Sequence, residues 1–308
     1  MSLTPTAAPL HAGMLVERRA PVLVTGATGE LGRAVVEELV ASHVPVHALA
    51  HRRPLVAPGA RGDARDSGVA RHAAGDGACI DDARSVDEST VEVHTFWGDL
   101  VTGAGLDAAL AGVGAVIHCA GDPRDARRVE VGGTRRVLEA VDAWAPGAHV
   151  VHVSLVGCFE NPSPIHRAKG DAENVVEAWH GRASIVRATQ FHPLVARLVR
   201  GTGAHVLGGV DDIAVRPVDP RWVATKLVDV ASLRTSLTEP LELAGPETFT
   251  LAEAATLTAH LDRRRTPRSL PLPVVGSTMR AFRRGAHLGS ASAQVGGRGY
   301  AEWVLAQG

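Results

Sequence analysis

The first 190 residues alternate short apolar runs with longer segments whose apolar residues recur at helical spacing. Val22–Val24 is apolar without interruption, which is typical of a buried strand, and the helix that follows carries Leu31, Val35, Val36 and Leu39 on one side. Further strands are predicted within residues 44–51, 91–100, 114–121, 148–154 and 183–190, with helical segments between most of them. Strands that alternate with helices in this way indicate βαβ units and a parallel sheet covered on both faces.

Four segments differ in pattern. Residues 1–19 lack regular periodicity and are predicted to be a flexible arm. Residues 20–190 are predicted to form an α/β fold, a Rossmann-type doubly wound parallel sheet, with a polar loop insertion at about 54–90. Residues 191–308 show shorter strands and helices, and we predict that they form a smaller α+β part interleaved with the sheet domain.

The composition is that of an ordinary globular protein and argues against several function classes. Apolar residues make up 45% of the chain and charged residues 21%. A formal net charge of −1 gives no support for binding to nucleic acid or to an anionic membrane. No run of 18 apolar residues is present, so no membrane span is expected. The three cysteines are odd in number and far apart, which favours a reducing, cytoplasmic location.

A glycine-rich loop follows the first predicted strand. Gly26, Gly29 and Gly32 stand at the spacing that lets a chain turn tightly, approach a pyrophosphate and pack a helix against a strand. The helix N-terminus would then face the phosphates. The sequence therefore predicts a dinucleotide site whose contacts come from one short segment, comprising Thr25, Gly26, Thr28, Gly29, Glu30, Leu31 and Gly32.

The end of the second strand bears on which dinucleotide is bound. NAD-preferring sites usually place an acidic residue here for the ribose 2′-hydroxyl, whereas an arginine suits a 2′-phosphate. This chain has His51 and Arg52 and no acid, which predicts a preference for NADP(H) over NAD(H). The alternative is a solvated basic turn in a chain that uses arginine almost everywhere.

The segments "VTGATGELG", "VIHCAG", "GGTRRVLEA", "HVSLVG" and "HRAK" occur in this order. Together with "VRATQFHPLV" and "ELAGPETFTLAEA" they resemble the short-chain dehydrogenase/reductase superfamily, and in particular its atypical, NmrA-like NAD(P)H-binding branch. The resemblance implies an extended Rossmann domain with a smaller C-terminal part that binds a small-molecule substrate.

The resemblance also assigns site residues position by position. Asp99 and Leu100 match the pair that contacts adenine, and Ala120 and Gly121 match the strand end beside the cofactor. Two further residues match the catalytic serine and the lysine of Y-x-x-x-K, namely Ser154 and Lys169. No metal site is expected.

The tyrosine of Y-x-x-x-K is missing. Its position is Ile165, and the chain contains a single tyrosine, Tyr300, far from this motif. Without the tyrosine, the resemblance leaves Lys169 the task of holding the cofactor. Because the chain has two lysines among 32 basic residues, we take this lysine to be functional. The alternative is an ion-pair partner for Glu173, four residues later on a solvated helix face.

His166 is a candidate replacement for the missing proton donor, because it lies three residues before Lys169 and histidine is a competent acid near neutral pH. A quinone or a conjugated carbonyl delocalises the charge that it gains and so depends less on a strong donor. The leading hypothesis is therefore an NAD(P)H-dependent reductase of such a molecule that uses Ser154 and Lys169.

Two other hypotheses remain open. One is a non-catalytic NADP(H)-binding redox sensor, which alone among the three would require a protein partner. The other is a non-redox isomerase or lyase on the same scaffold. Phe191, His192, Trp222 and Met279 are candidates to line a substrate pocket.

Overall fold

The computed structural model describes residues 20–51, 91–201, 206–208, 210–266, 268–270 and 275–307. The predicted arm at 1–19, Arg52 and the predicted insertion at 54–90 lie outside the described residues. The strands are β1 (Val22–Thr25), β2 (Val46–Ala50), β3 (Val93–Trp97), β4 (Ala115–His118), β5 (His149–Leu155), β6 (Ala183–Ala188), β7 (Val206–Gly208), β8 (Ala214–Val215), β9 (Leu241–Ala244), β10 (Phe249–Thr250), β11 (Arg268–Leu270) and β12 (Gln294–Val295). The α-helices are α1 (Glu30–Ala41), α2 (Leu106–Leu110), α3 (Thr134–Trp144), α4 (Pro164–Glu177), α5 (His192–Gly201), α6 (Pro220–Ala231), α7 (Leu251–Leu261), α8 (Ser277–Arg283) and α9 (Tyr300–Leu305).

Eight of the described strands form one parallel sheet in the order β3-β2-β1-β4-β5-β6-β9-β12. The sheet confirms the predicted Rossmann-type α/β fold. Strand β1 has β2 on one side and β4 on the other, so the direction of winding reverses beside it. In open α/β sheets the carboxyl ends of the strands at such a reversal form the binding crevice.

The two faces of the sheet carry separate apolar cores. Helices α1 and α6 cover one face, where the predicted stripe of α1 is fully or nearly buried together with Val223 and Leu227. Helices α2, α3 and α4 cover the other face with Leu110, Val141 and Val176. Each such side chain contributes roughly 1.5–3 kcal/mol by leaving water. Burial on both faces explains why β1, β4 and most of β5 are apolar or buried throughout.

One predicted helix is divided in the structure. The segment "RRVEVGGTRRVLEAVDAWA" begins as a π-helix at Arg127–Gly133 and continues as the α-helix α3. Gly132 and Gly133 end the π-helical part, and Gly133 packs closely against Leu100, where an added Cβ would stand 3.3 Å from the Leu100 Cβ. A π-helical turn is rare and frequently marks a functional site. Here it carries the buried residue Glu130.

The C-terminal residues contribute both to the sheet and to a third apolar cluster. Strands β9 and β12 extend the main sheet, whereas β8 pairs with β10 and β7 with β11. Helices α5, α7 and α9 enclose a cluster that includes Val195, Leu251 and Tyr300. The predicted boundary near residue 190 stays a prediction. Among the described residues no helix is long and apolar enough to cross a membrane.

Candidate functional site

A cleft of about 540 Å³ lies at the carboxyl ends of β1 to β4. It is at the place where the winding of the sheet reverses, which is where α/β folds bind ligands. Eight residues that the sequence predicts for the cofactor line it, namely Gly26, Thr28, Gly29, His51, Asp99, Leu100, Ala120 and Gly121. The predicted cofactor residues after β1 and β2 and those after β3 and β4 thus line the same cleft, although the segments are far apart in the chain.

The glycine loop fits a bound pyrophosphate. Gly26 has φ +67°, and a Cβ there would stand 2.7 Å from the Ala120 Cα. A Cβ on Gly32 would lie 2.1 Å from the Gly26 carbonyl oxygen, so the helix packs against the loop only because residue 32 is glycine. Gly29 is the N-cap of α1 and provides no side-chain cap, which leaves the first-turn N–H groups for an anion.

Five other predicted cofactor residues that the structure describes, Lys169 among them, do not line this cleft. The hydroxyl of Thr25 is buried and hydrogen-bonded to His118 Nδ1 at 2.6 Å. Glu30 forms an exposed ion pair with Arg197, while Leu31 belongs to the core and Gly32 serves helix packing. Arg52 lies outside the described residues.

The loop after β3, which the resemblance assigns to adenine contact, lines one part of the cleft. Asp99 accepts a hydrogen bond from the Val101 N–H at 2.7 Å, and His51 Nδ1 lies 3.2 Å from the Gly98 carbonyl oxygen. The cleft also includes residues that the sequence did not single out, namely Leu49, Gly98, Val101, Cys119, Asp122, Asp125, Arg128 and Val129. Most follow directly on β3 or β4, so their position after a strand was the signal that could have found them.

Lys169 projects from α4 toward the sheet and is buried. Its Nζ donates a hydrogen bond to the Val153 carbonyl oxygen at 2.8 Å and forms an ion pair with Glu130 Oε2 at 2.8 Å. The two residues are 8% and 1% exposed. The alternative partner, Glu173, is also buried but binds Arg187 instead. A Lys169–Glu173 pair on a solvated face is therefore wrong.

The Lys169–Glu130 pair adjoins the wall of the cleft. A Cβ on Gly121 would stand 2.6 Å from Glu130 Oε1, so the carboxylate lies directly behind the last cleft residue after β4. The charge of Lys169 also acts on Cys119, another wall residue, where burial raises the thiol pKa to about 12 and the lysine opposes that shift.

Two buried histidines lie beneath the lysine. His118 on β4 and His152 on β5 are both 1% exposed, and their ring centroids are 5.4 Å apart. Burial lowers the pKa of His118 to about 3 and the pKa of His152 well below its ordinary value, and the charge of Lys169 lowers both further. Both rings are therefore neutral at pH 7.

Ser154 is at the carboxyl end of β5 and is 1% exposed. It lies near Cys158, whose thiol donates to Glu173 Oε1 at 3.2 Å. Burial, followed by the charge of Glu173, raises the Cys158 pKa to about 12, so this thiol is not an activated nucleophile. Neither Ser154 nor Lys169 is among the residues that line the cleft; both lie on the sheet side of α4 behind it.

His166 and Tyr300 are directed elsewhere. His166 Nδ1 lies 2.7 Å from Ser163 Oγ, and its ring packs edge-on against Phe282. Burial lowers its pKa to about 4, and the residue does not line the cleft. Tyr300 is fully buried in the C-terminal cluster, where its hydroxyl lies 2.9 Å from that of Thr258. A catalytic role for His166 stays a prediction without a contact to the cleft.

None of the four candidate pocket residues lines the cleft, and one of them is fully buried while the other three are partly buried against apolar cores. His192 is fully buried and lies 3.0 Å from the Arg298 carbonyl oxygen. Phe191 and Trp222 pack against the core under α1 and α6, and Met279 packs against the C-terminal cluster. Apolar residues in helices are more often core than pocket, and sequence periodicity does not distinguish the two.

The family model described as the NAD dependent epimerase/dehydratase family matches residues 22–175, half of the chain. The chain belongs to this family. The match confirms the predicted extended short-chain dehydrogenase/reductase scaffold, with solved structures of reductases among its neighbours. The matched part contains the glycine loop, Glu130, Ser154 and Lys169.

A curated relative is the chloroplastic divinyl chlorophyllide a 8-vinyl-reductase of Oryza sativa subsp. indica, 29% identical over 235 residues. The alignment covers 73% of this chain and 54% of the relative, so the chain spans about half the length of that protein.

Two solved structures share the fold. The NADPH complex of the Escherichia coli quinone oxidoreductase QOR2 superposes with a TM-score of 0.66 at 17% identity, covering 93% of this chain and 99% of that one. The NADP(H) complex of the Citrobacter sp. triphenylmethane reductase superposes with a TM-score of 0.62 at 16% sequence identity. The match covers 88% of this chain and 92% of that one.

Proposed function

We propose that this protein is an NAD(P)H-dependent reductase of a conjugated carbonyl or quinone-like small molecule. One observation carries the proposal. The cleft lined by predicted cofactor residues is backed by a buried lysine, while the position that would hold a phenolic proton donor is Ile165. The site thus keeps the groups that hold a cofactor and lacks the group that a simple ketone requires.

NADP(H) is the proposed cofactor, with NAD(H) bound more weakly. The residue that follows β2 is His51 and not a carboxylate, and it stands at the strand end that recognises the ribose in such folds. Gly26, Gly29 and the first turn of α1 would hold the pyrophosphate, with Asp99 and Leu100 beside the adenine. When bound, the reduced cofactor supplies a hydride.

The remaining chemistry is assigned to this chain's own side chains. Lys169 would hold the ribose hydroxyls and place a positive charge near the acceptor. Ser154 is 1% exposed, so cofactor or substrate binding would have to uncover its hydroxyl before it donates a hydrogen bond to the acceptor oxygen. Neither group is a strong acid. The negative charge that develops on the acceptor must therefore be spread over its own π-system, which favours quinones and conjugated carbonyls.

Helix α5 supports an apolar substrate. It begins just after β6, at the same edge of the sheet as Ser154, and exposes Leu194 and Leu198 on successive turns. These leucines are 50% and 47% exposed, whereas their neighbour Val195 is buried. Adjacent exposed leucines are suited to an apolar ligand. The solved neighbours named for quinone and triphenylmethane reduction are consistent with this class.

A second candidate is a non-redox isomerase or lyase, which the family's description as epimerase/dehydratase favours. The missing tyrosine is also compatible with the third hypothesis, a non-catalytic NADP(H)-binding redox sensor, in which a protein partner takes the place of the substrate. In the reductase proposal the partner is a small molecule, with no role for nucleic acid or membrane. We place the protein in the cytoplasm, consistent with free thiols at Cys119 and Cys158.

The test is a fluorescence titration with NADPH and NADH, followed by NADPH oxidation with a quinone, an enone and a simple ketone. We expect binding, turnover of the first two acceptors, and loss of turnover in Lys169→Ala and Ser154→Ala. Lys226→Ala is the matched control, because Lys226 is an exposed lysine that pairs with Asp229 on α6. Tight binding without turnover of any acceptor would contradict the reductase proposal.

A further inference from the structure

Glu130 is a buried acid with no role in the sequence-based hypotheses. It belongs to the π-helical segment Arg127–Gly133 and is 1% exposed. Its carboxylate has Lys169 Nζ on one oxygen, at 2.8 Å, and the Gly121 backbone beside the other. It therefore connects the lysine of α4 with the end of β4 at the cleft.

Stability alone does not account for this pair. Removing two charges from water costs several kcal/mol for each ion, and replacing a buried pair by apolar side chains is often neutral or stabilising. α4 already has a second buried pair, Glu173 with Arg187, which lies away from the cleft wall. The carboxylate of Glu130 is distinguished from that of Glu173 by its position behind Gly121.

The other groups around Lys169 Nζ do not balance its charge. The Val153 carbonyl oxygen accepts one hydrogen bond, and Ile165, one turn earlier on α4, is apolar. The two histidine rings beneath, His118 and His152, are neutral at pH 7, and Cys119 remains a thiol. Glu130 is thus the acidic group that the structure pairs with this buried amine.

We propose that Glu130 is a positioning residue that holds Lys169 as a charged, directed ammonium beside the cofactor cleft. This inference rests on the proposed function, because it assumes that Lys169 contacts the bound cofactor. Position 165 is isoleucine, and the His166 ring is directed at Ser163 and Phe282, so α4 itself supplies no partner for the lysine from the preceding turn. The orientation is supplied instead from the π-helical segment, across the helix interface.

The chain allows a direct test because it contains two lysines. Acylation by acetic anhydride, read by mass spectrometry, reports Lys169 and Lys226 separately in the same sample. Lys226 is the internal control, because it is exposed and remote from the cleft residues. Labelling is measured between about pH 6 and 10 with and without NADPH, in the wild type and in Glu130→Gln, Glu130→Asp and Glu173→Gln.

We expect NADPH to protect Lys169 and not Lys226 in the wild type. Glu130→Gln should make Lys169 reactive at a lower pH, because the neutral amine is favoured once the carboxylate is gone, and should weaken NADPH binding by about tenfold or more. Glu130→Asp should recover most of the affinity. Glu173→Gln should lower the melting temperature without changing either readout, which separates positioning from general stabilisation.

Several outcomes would overturn the inference. If the wild type binds NADPH and Lys169 is protected, but Glu130→Gln keeps the affinity and the labelling profile, Glu130 is only structural. If Glu173→Gln weakens NADPH binding as much as Glu130→Gln, the effect belongs to the stability of α4. Absence of NADPH binding by the wild type would instead refute the proposed function and the inference with it. Should Glu130→Gln fail to fold, Glu130→Asp carries the labelling and affinity comparison. The apolar pair Glu130→Leu/Lys169→Met then tests affinity alone: it should fold and bind NADPH as weakly as Lys169→Ala, and wild-type affinity would overturn the inference.

Discussion

The guanidinium of Arg187 donates three hydrogen bonds to the carboxylate of Glu173, at 2.6, 3.0 and 3.1 Å. Glu173 is fully buried in α4, and Arg187 reaches it from β6 while its guanidinium also lies over the ring of Phe159. The hydrogen bonds to Glu173 raise the pKa of Arg187. This pair fastens α4 to the sheet independently of Lys169.

We therefore expect Arg187→Met to destabilise the fold by about 3 kcal/mol, because it leaves a buried carboxylate without a counter-charge. This is the lower end of the usual cost, since the arginine side chain is 19% exposed. The free energy of unfolding in urea measures it. The double variant Arg187→Met/Glu173→Leu should recover most of the loss, and equal loss in the single and double variants would show that the ion pair is not the cause.

Gly26 should be essential to the dinucleotide cleft. Gly26→Ala forces a left-handed residue, which costs about 1–2 kcal/mol, and adds a Cβ 2.7 Å from the Ala120 Cα. We expect NADPH affinity to fall by about a hundredfold, because the loop must move away from the pyrophosphate position. Gly112→Ala is the matched control, as Gly112 has a similar φ of +72° with open space around it. Gly112→Ala should lose a similar amount of stability, because alanine is also strained in the left-handed conformation, and should keep its affinity for NADPH.

The buried histidines should make the protein sensitive to acid. In the unfolded chain His118 and His152 take up protons below about pH 6.5. In the folded protein the pKa of His118 is about 3, and the pKa of His152 is also well below its ordinary value. Between these values the unfolded state binds more protons. The free energy of unfolding should therefore fall as the pH falls, by about 1.4 kcal/mol per pH unit for each histidine.

Urea unfolding at several pH values between about 7.5 and 5 measures that slope. In His118→Asn the dependence of the unfolding free energy on pH should be weaker by about 1.4 kcal/mol per pH unit, which corresponds to one proton fewer taken up on unfolding. This holds whatever the absolute stability of the variant. His94→Asn is a suitable control, because His94 is only partly buried. An unchanged slope in His118→Asn would mean that this histidine does not remain neutral in the fold.

Ile165→Tyr should restore the missing proton donor. Position 165 is half-buried and stands one turn before Lys169 on α4, so a tyrosine there lies on the same side of the helix as the lysine. We expect turnover of a simple ketone to rise by about a hundredfold, while quinone turnover changes little. Ile165→Phe adds the ring without the hydroxyl, and an equal gain in both variants would assign the effect to packing.

The sequence by itself determined the features that are local in the chain. The alternation of apolar runs and helical stripes predicted the parallel sheet, because both periodicities follow from backbone geometry. The glycine spacing predicted the cleft, because its three positions belong to one turn between β1 and α1. The family resemblance assigned Asp99 and Ala120 to the same site, and both line the cleft because parallel strands end at one edge of the sheet.

Tertiary packing decided which charged groups are paired. Glu173 is four residues from Lys169, which made it the nearest candidate in the sequence, yet the lysine pairs with Glu130 from another helix. Helical periodicity gives the side of a helix to which a residue belongs but not what packs against that side. The same reason applies to His192, which periodicity left open as a pocket residue and which packing buries completely. Burial, and with it the neutral state of His118 and the ionic role of Glu130, depends on contacts between distant segments that the sequence pattern does not encode locally.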